Sequence, residues 1–359
     1  MLVNHQCLFL MGTVEMISRL FPIPTVSLRR SITIRASVVS SSASTARKTH
    51  PPLFLRPLTY FATLSDIVAF RSWATSLATA AAAAAPGLES IDGGPSASHL
   101  LRELSWLLED ATSQSCGKVL MRADLDELYR LWKERIERRR PFQYIVGCEH
   151  WRDLVLVVRE GVLIPRPETE MIVDLVRDVE GFGEGLWADL GTGSGAIAVG
   201  IGRELGENGR VFATDLSLDA VEIAGINVER YGLKDKVEIR HGSWFEPLDD
   251  FKGKLTGLVS NPPYIPSSDI PGLQAEVSKH EPKLALDGGV DGTDHLFHLC
   301  EGSATVLRSG GFFAFETNGD IQSELVANYL STKWTKCFTN VKTVLDFAGI
   351  KRFVTGFRQ

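Results

Sequence analysis

Asn261-Pro262-Pro263-Tyr264 sets a side-chain amide beside a proline carbonyl at the end of an apolar segment, Leu258-Val259-Ser260. Pro262 restricts Asn261 to an extended conformation, and neither proline has an N–H to compete for nearby acceptors. Two fixed acceptors remain, the Asn261 side-chain oxygen and the Pro262 carbonyl. Such a pair suits an –NH2 group. Holding both of its protons points the nitrogen lone pair at an electrophile and disfavours its delocalisation into the adjoining π system. Tyr264 would add a flat face beside a planar amide or base. Taken alone, the tetrapeptide is also an ordinary turn leaving a strand, so its meaning depends on what stands upstream.

Upstream lies Asp189-Leu190-Gly191-Thr192-Gly193-Ser194-Gly195, entered from Leu186-Trp187-Ala188 and followed by Ala196-Ile197-Ala198-Val199-Gly200-Ile201. This reads as strand, tight turn and helix start. Glycines at 191, 193 and 195 let the backbone turn sharply and approach a ligand, and the helix N-terminus behind them offers free N–H groups. With Ala196 as the last position the loop fits a loose G-x-G-x-x-G/A, so alone it does not separate a nicotinamide dinucleotide from S-adenosylmethionine. Asp215, ending Val211-Phe212-Ala213-Thr214, could take a ribose diol for either ligand. Asn261 breaks the tie, because it stands at the C-terminal end of a strand, where ligands collect in open α/β sheets. Glycine loop, acidic strand end and acceptor pair together imply transfer of an electrophilic methyl group to an amino or amide nitrogen.

At 359 residues with 44% hydrophobic content, the chain is long enough for two domains and a tail. Residues 1–60 carry seven basic side chains against the single acid Glu15, about +6, so the net charge of −6 leaves about −12 for residues 61–359. The tail is also rich in hydroxyls (Ser37, Ser40, Ser41, Ser42, Ser44, Thr45). That composition is the pattern of an organellar transit peptide, and Ile34-Arg35-Ala36-Ser37 resembles a chloroplast processing site. The expected location is the chloroplast, with the mitochondrion as the alternative. An acidic body argues against stable nucleic-acid binding. No apolar run approaches the roughly 20 residues that span a bilayer, and a soluble monomer is expected. The five cysteines form no C-x-x-C and are odd in number, so they read as reduced thiols. His295, His298 and Cys300 have a spacing that could hold a metal, but a helix near the surface accounts for it, and no metal site is assigned.

The expected organisation is a transit or disordered segment 1–60, a small helical domain 61–147, and a catalytic domain 148–359 joined through a hairpin linker, 150–165. The run Ala80 to Ala85 reads as a frayed helix ended by Pro86-Gly87. Leu100, Leu101, Leu104, Leu107 and Leu108 form a helical stripe with Arg102, Glu103, Glu109 and Asp110 outside it. A second helix carries Leu125, Tyr129, Trp132 and Ile136 on one face and ends at Arg138-Arg139-Arg140-Pro141. Those arginines either complement the helix dipole or bind a partner. Leu154 to Val158 and Val162 to Ile164 read as the two strands of the hairpin. They deliver Pro165-Arg166-Pro167-Glu168-Thr169-Glu170, where Thr169 could cap a helix beginning near Met171. Strands near 186–190, 211–215, 237–240, 256–260 and 311–316 then alternate with helices near 195–205, 218–231, 293–308 and 320–330. An antiparallel pair around Gly349 closes a seven-stranded sheet.

These residues resemble the HemK/PrmC family, the N5-glutamine methyltransferases of peptide chain release factors, in an organellar, plant-type form. The resemblance covers roughly 100–359. It rests on the helical domain, on Pro141-Phe142-Gln143-Tyr144-Ile145-Val146-Gly147, on Leu163-Ile164-Pro165-Arg166-Pro167-Glu168-Thr169-Glu170, on Asp189 to Gly195, on Asn261 to Ile265, and on His280-Glu281-Pro282 ahead of Leu284-Ala285-Leu286. Asn-Pro-Pro-Tyr alone is shared with adenine and cytosine amino-methyltransferases.

The resemblance implies a Rossmann-like class I domain using S-adenosyl-L-methionine. Gly191, Thr192, Gly193, Ser194 and Gly195 would surround the cofactor, with Asp215 on its ribose and Asn261 beside its methyl group. Trp244 matches a cofactor-pocket aromatic, though core packing also accounts for it, and Ser243 stands where the family often has an acid. Asn261 and Pro262, with Pro263 and Tyr264, would hold the glutamine amide of a Gly-Gly-Gln loop in a class I release factor. The helical domain would dock elsewhere on that protein. Glu168 would lie near the site, or serve only the helix N-terminus. The rival readings are an amino-methyltransferase acting on a base in organellar RNA or DNA, and a non-catalytic organellar translation factor that retains the fold.

Overall fold

The computed structural model of the chain describes residues 51–83, 94–115 and 118–359. Expectations placed on the tail up to residue 50, on Pro86-Gly87, on residues 89–93 and on Cys7 and Cys116 lie outside them.

The N-terminal region is a helical cluster around a small sheet. Its elements are β1 (Tyr60–Ala62), α1 (Leu64–Ala83), α2 (Ala97–Ala111), β2 (Thr112–Ser115), β3 (Lys118–Met121), α3 (Leu125–Glu137) and α4 (Phe142–Val146). Ser96 caps α2 by accepting from the N–H of His99, and Asp124 caps α3 by accepting from that of Glu127. Leu100, Leu104, Leu107, Leu128, Leu131 and Trp132 turn inward against Phe70, Ala74 and Ala78 of α1, and the Trp132 indole donates to the Ala74 carbonyl at 3.0 Å.

Three expectations change here. The body begins before residue 61, because Leu53 is buried in this core and β1 pairs antiparallel with β3. The region is not purely helical, since β1, β3 and β2 form a three-stranded antiparallel sheet. Glu103 is not outside the stripe but buried within it, where its carboxylate receives the Arg135 guanidinium at 2.6 and 3.0 Å. A charge is retained in an apolar face only with such a partner.

The hairpin joining the two regions is β4 (Cys148–Trp151) with β5 (Leu154–Val157), one strand earlier than expected. Its tight turn uses Arg152 at φ +53, held by Asp174 and the Glu170 carbonyl. Val162 to Ile164 forms no strand because its backbone bonds elsewhere: the Tyr144 hydroxyl donates to the Val162 carbonyl at 2.7 Å and Glu281 accepts from the Ile164 N–H at 3.2 Å.

The remaining chain runs through α5 (Met171–Arg177), β6 (Leu186–Leu190), α6 (Ala196–Glu204), β7 (Arg210–Asp215), α7 (Leu218–Arg230), β8 (Val237–His241), β9 (Leu255–Ser260), α8 (Ala275–His280), α9 (Asp294–Val306), β10 (Leu307–Glu316), α10 (Asp320–Lys333), β11 (Phe338–Leu345) and β12 (Lys351–Arg358). The sheet order is β11-β12-β10-β9-β6-β7-β8. The five strands from β8 to β10 are parallel, and β12 runs antiparallel between β10 and β11. This is the class I S-adenosylmethionine-dependent methyltransferase architecture, with helical layers packed on both faces. The order reverses at β6 and β9, so the C-terminal ends of those strands open the crevice where ligands bind. No helix of the described residues is long and apolar enough to cross a membrane.

Candidate active site

Asp189, in β6 just before its end, is fully buried, and its Oδ2 accepts from the Thr192 hydroxyl at 2.6 Å and from the Ala198 N–H at 3.1 Å. These bonds tie both sides of the glycine loop to one carboxyl group. Burial pushes its pKa up to about 7, against the opposing pull of the two bonds. Gly191, Gly193 and Gly195 adopt φ of +71, +57 and +81. Left-handed backbone of this kind favours glycine at all three positions. At Gly195 close packing adds to this, since a Cβ would meet the Ala224 backbone of α7 at 3.2 Å.

The Asp215 carboxylate accepts from the Gly193 N–H through one oxygen and from the Ser217 N–H through the other, each at 2.8 Å. Burial raises its pKa and these backbone donors pull it back. Asp215 thus holds the loop in place while each oxygen retains a lone pair for a further donor.

Gly191, Gly193, Asp215, Trp244 and Asn261 line one pocket together with Leu163, Ser217, Pro263, Leu284 and His295. Trp244 has φ +44, and its ring stands 5.3 Å from that of His295. The other expected residues lie behind this surface. Thr192 and Ser194 are buried; the first holds Asp189, and the carbonyl of the second accepts from Asn227 at 2.8 Å. The fit to S-adenosylmethionine is good. Gly191 and Gly193 line the pocket without side chains, Asp215 offers it carboxylate acceptors for hydroxyl donors, and Trp244 and Leu284 give apolar walls for a base.

Asn261 follows β9, whose last residue Ser260 donates its hydroxyl proton to the Leu190 carbonyl at 2.6 Å and so fixes β9 against β6. The Asn261 Nδ2 donates to the Thr169 Oγ1 at 3.0 Å. That bond assigns the amide orientation. Asn261 lines the pocket and its Oδ1 accepts no hydrogen bond among the described residues, whereas Pro262 beside it is buried and does not line the pocket. Tyr264 is turned away from the pocket: its hydroxyl donates to the Glu316 Oε1 at 3.1 Å, and its carbonyl accepts from Gln322 at 3.0 Å. It therefore braces the chain after Pro263 and presents no flat face to a ligand.

The segment 262–289 returns over the site. Glu281 is buried and accepts from the Arg166 Nη2 at 2.6 Å, joining the Arg-Pro-Glu-Thr-Glu run to the wall formed by Pro282, Leu284 and Ala285. Arg139 and Arg140 are engaged within the molecule, Arg139 with Glu276 and Arg140 with Glu134 and Glu160. A docking role through those two would require these pairs to be exchanged. Glu168 does not line the pocket. Two residues of this neighbourhood escaped the sequence analysis as site residues, Thr169, which reads as a helix cap, and Glu316, which reads as the end of a strand. The available signal was an acid at the C-terminal end of the strand beside the one carrying Asn261.

Residues 169–275 match the family model described as "Methyltransferase small domain". The chain is 41% identical over 262 residues to the release factor glutamine methyltransferase of Gloeobacter violaceus, covering 71% of this chain and 90% of that one. It is 38% identical over 265 residues to the same-named protein of Thermosynechococcus vestitus, again 71% and 90%. Against that of Synechocystis sp. it is 38% identical over 268 residues, covering 70% and 88%. By this identity over nine-tenths of the relatives' length, carried on a class I sheet, the chain belongs to the release factor glutamine methyltransferase family, enzymes that use S-adenosyl-L-methionine.

Proposed function

We propose that the protein methylates the side-chain amide nitrogen of the glutamine in the Gly-Gly-Gln motif of an organellar class I release factor, in the chloroplast or alternatively the mitochondrion. The observation that carries this is Asn261. Its Nδ2 is committed to Thr169, which leaves its Oδ1 as the free acceptor of a side chain that lines the cofactor pocket. The basic, hydroxyl-rich composition of residues 1–60 supports the organellar assignment.

S-adenosylmethionine supplies a sulfonium-bound methyl group. Asn261 and Pro262 would accept the two amide protons of the glutamine, restrain its nitrogen in line with that methyl, and reduce the amide conjugation that makes this nitrogen a poor nucleophile. The positive charge developing on the nitrogen as it takes the methyl group, with the sulfur leaving as a neutral thioether, would be met by the acceptor dipoles of Asn261 and Pro262. One nitrogen proton then leaves to solvent, which requires no strong base. Gly191, Gly193 and Asp215 would hold the cofactor, and Leu284 and Ala285 would limit water at the reacting atoms.

The test is methyl transfer to purified plastid and mitochondrial release factors, read by peptide mass spectrometry. One added methyl on the Gly-Gly-Gln glutamine is the expected result. A labelled methyl found in RNA or DNA, and not in release factor, would instead favour the base-methylating reading. Transfer to none of these would favour the non-catalytic one.

A further inference from the structure

The Asn261 amide is symmetric enough in shape to sit either way round, and only one orientation offers an acceptor to the pocket. The Thr169 Oγ1, 3.0 Å from the Asn261 Nδ2, makes the choice provided that its own proton is directed elsewhere. On the far side stands the Glu316 carboxyl, buried at the end of β10, which accepts from the Tyr264 hydroxyl through Oε1 and whose ionised form the Thr169 hydroxyl favours. Its Oε2 is buried with no hydrogen-bond partner among the described residues, an acceptor left over for a nearby donor. Thr169, Glu316 and Tyr264 come from three separate segments, and they meet directly behind Asn261.

We propose that Thr169 and Glu316 are positioning residues: Glu316 accepts the Thr169 proton, which leaves the Thr169 lone pairs facing Asn261 and locks its Oδ1 toward the substrate amide. Burial is what makes the arrangement directional. In its ionised form the carboxyl group only accepts, which leaves the threonine hydroxyl one favourable direction in which to donate, and no solvent competes for it. Through Tyr264 the same carboxylate also holds the chain just after Pro263, so both acceptors of the pair are referred to one buried group. The inference rests on the proposed glutamine-methylating role of Asn261.

The test uses the full chain carrying Thr169→Val, Thr169→Ser, Glu316→Gln and the double variant Thr169→Val/Glu316→Gln. Thr169→Val keeps the shape and removes the hydroxyl. It should lower kcat on release factor about tenfold, the equivalent of about 1.4 kcal/mol for one orienting hydrogen bond. KM, S-adenosylhomocysteine affinity by calorimetry and Tm should stay near wild type. Thr169→Ser should restore kcat to within about threefold. Glu316→Gln should lower kcat severalfold alone and add little to Thr169→Val, because the two act through one hydroxyl.

Wild-type kcat for Thr169→Val would overturn the proposal. So would a loss that Ser does not rescue and that is accompanied by falling cofactor affinity and Tm, which would mark a structural role only. Additive losses in the double variant would remove Glu316 from the relay. If the wild-type chain itself transfers no methyl to glutamine, it is the underlying functional reading that fails, and the wild-type arm reveals that separately.

Discussion

Glu276 is where the N-terminal region is fastened to the catalytic one, and its removal has a consequence that can be worked from the geometry. Its carboxylate accepts from the Arg135 Nη1 at 2.9 Å and from the Arg139 Nε at 2.8 Å, with a further bond from the Arg139 Nη2. Arg139 is about a quarter exposed, at 24%, so in Glu276→Ala water can replace the lost partner and that side contributes under about 1 kcal/mol. Arg135 is only 3% exposed. It keeps Glu103, which spares it the roughly 3–5 kcal/mol cost of a buried charge stripped of its only partner, but its Nη1 loses an acceptor, at about 1–3 kcal/mol.

Together these give a loss of about 1–4 kcal/mol, a fall in Tm of about 2–10 °C for a body of this size. Burial raises the Glu276 pKa, but the Arg139 hydrogen bond, a backbone bond and the two guanidinium charges outweigh it and hold it below the ordinary 4.5. A depressed carboxylate stabilises above its unfolded value and loses that contribution as pH falls through its folded value. The Tm gap between wild type and Glu276→Ala should therefore be constant from about pH 8 to 6 and close below about pH 4.5. Because α8 leads into Glu281 and the pocket wall, cofactor affinity should also fall a few-fold. Differential scanning fluorimetry across that pH range, with calorimetry for S-adenosylhomocysteine, gives the measurement. A Tm within about 1 °C of wild type would refute the fastening.

Asn261→Ala should abolish glutamine methylation and leave S-adenosylhomocysteine affinity within a few-fold, since the lost oxygen orients the amide and not the cofactor; turnover beside calorimetry reads both. Asp215→Ala should weaken cofactor binding by about 1.5–3 kcal/mol. Because Asp215 also accepts from the Gly193 and Ser217 N–H groups, Tm without ligand should fall as well, and unchanged ligand-free Tm would show that the loop holds itself.

The catalytic sheet was legible because its parallel strands are short apolar runs closed by glycine or turn residues, with helical periodicity between them, all of it local information. The sheet of β1, β2 and β3 was not. Its strands are three or four residues long, too brief to establish a period of two, and only pairing between β1 and β3 across some 60 residues defines them. The hairpin shifted for a related reason: Val162 to Ile164 has strand composition, but Tyr144 and Glu281 had already taken its backbone groups.

The site divides the same way. Asn261 could be read because the residue that constrains it is its neighbour Pro262, and the glycine loop because its conformation is set by the residues within it. Glu103 read as an outward charge, since nothing nearby in sequence announces Arg135. Thr169 read as a cap because capping is the local use of a threonine before a helix, whereas its structural partner Asn261 lies 92 residues away. A buried polar network is invisible to local patterning by nature, because its members are individually ordinary and acquire meaning only through mutual burial. The sequence could therefore name the atom that would touch the substrate amide, and the folded chain was needed to show what holds that atom still.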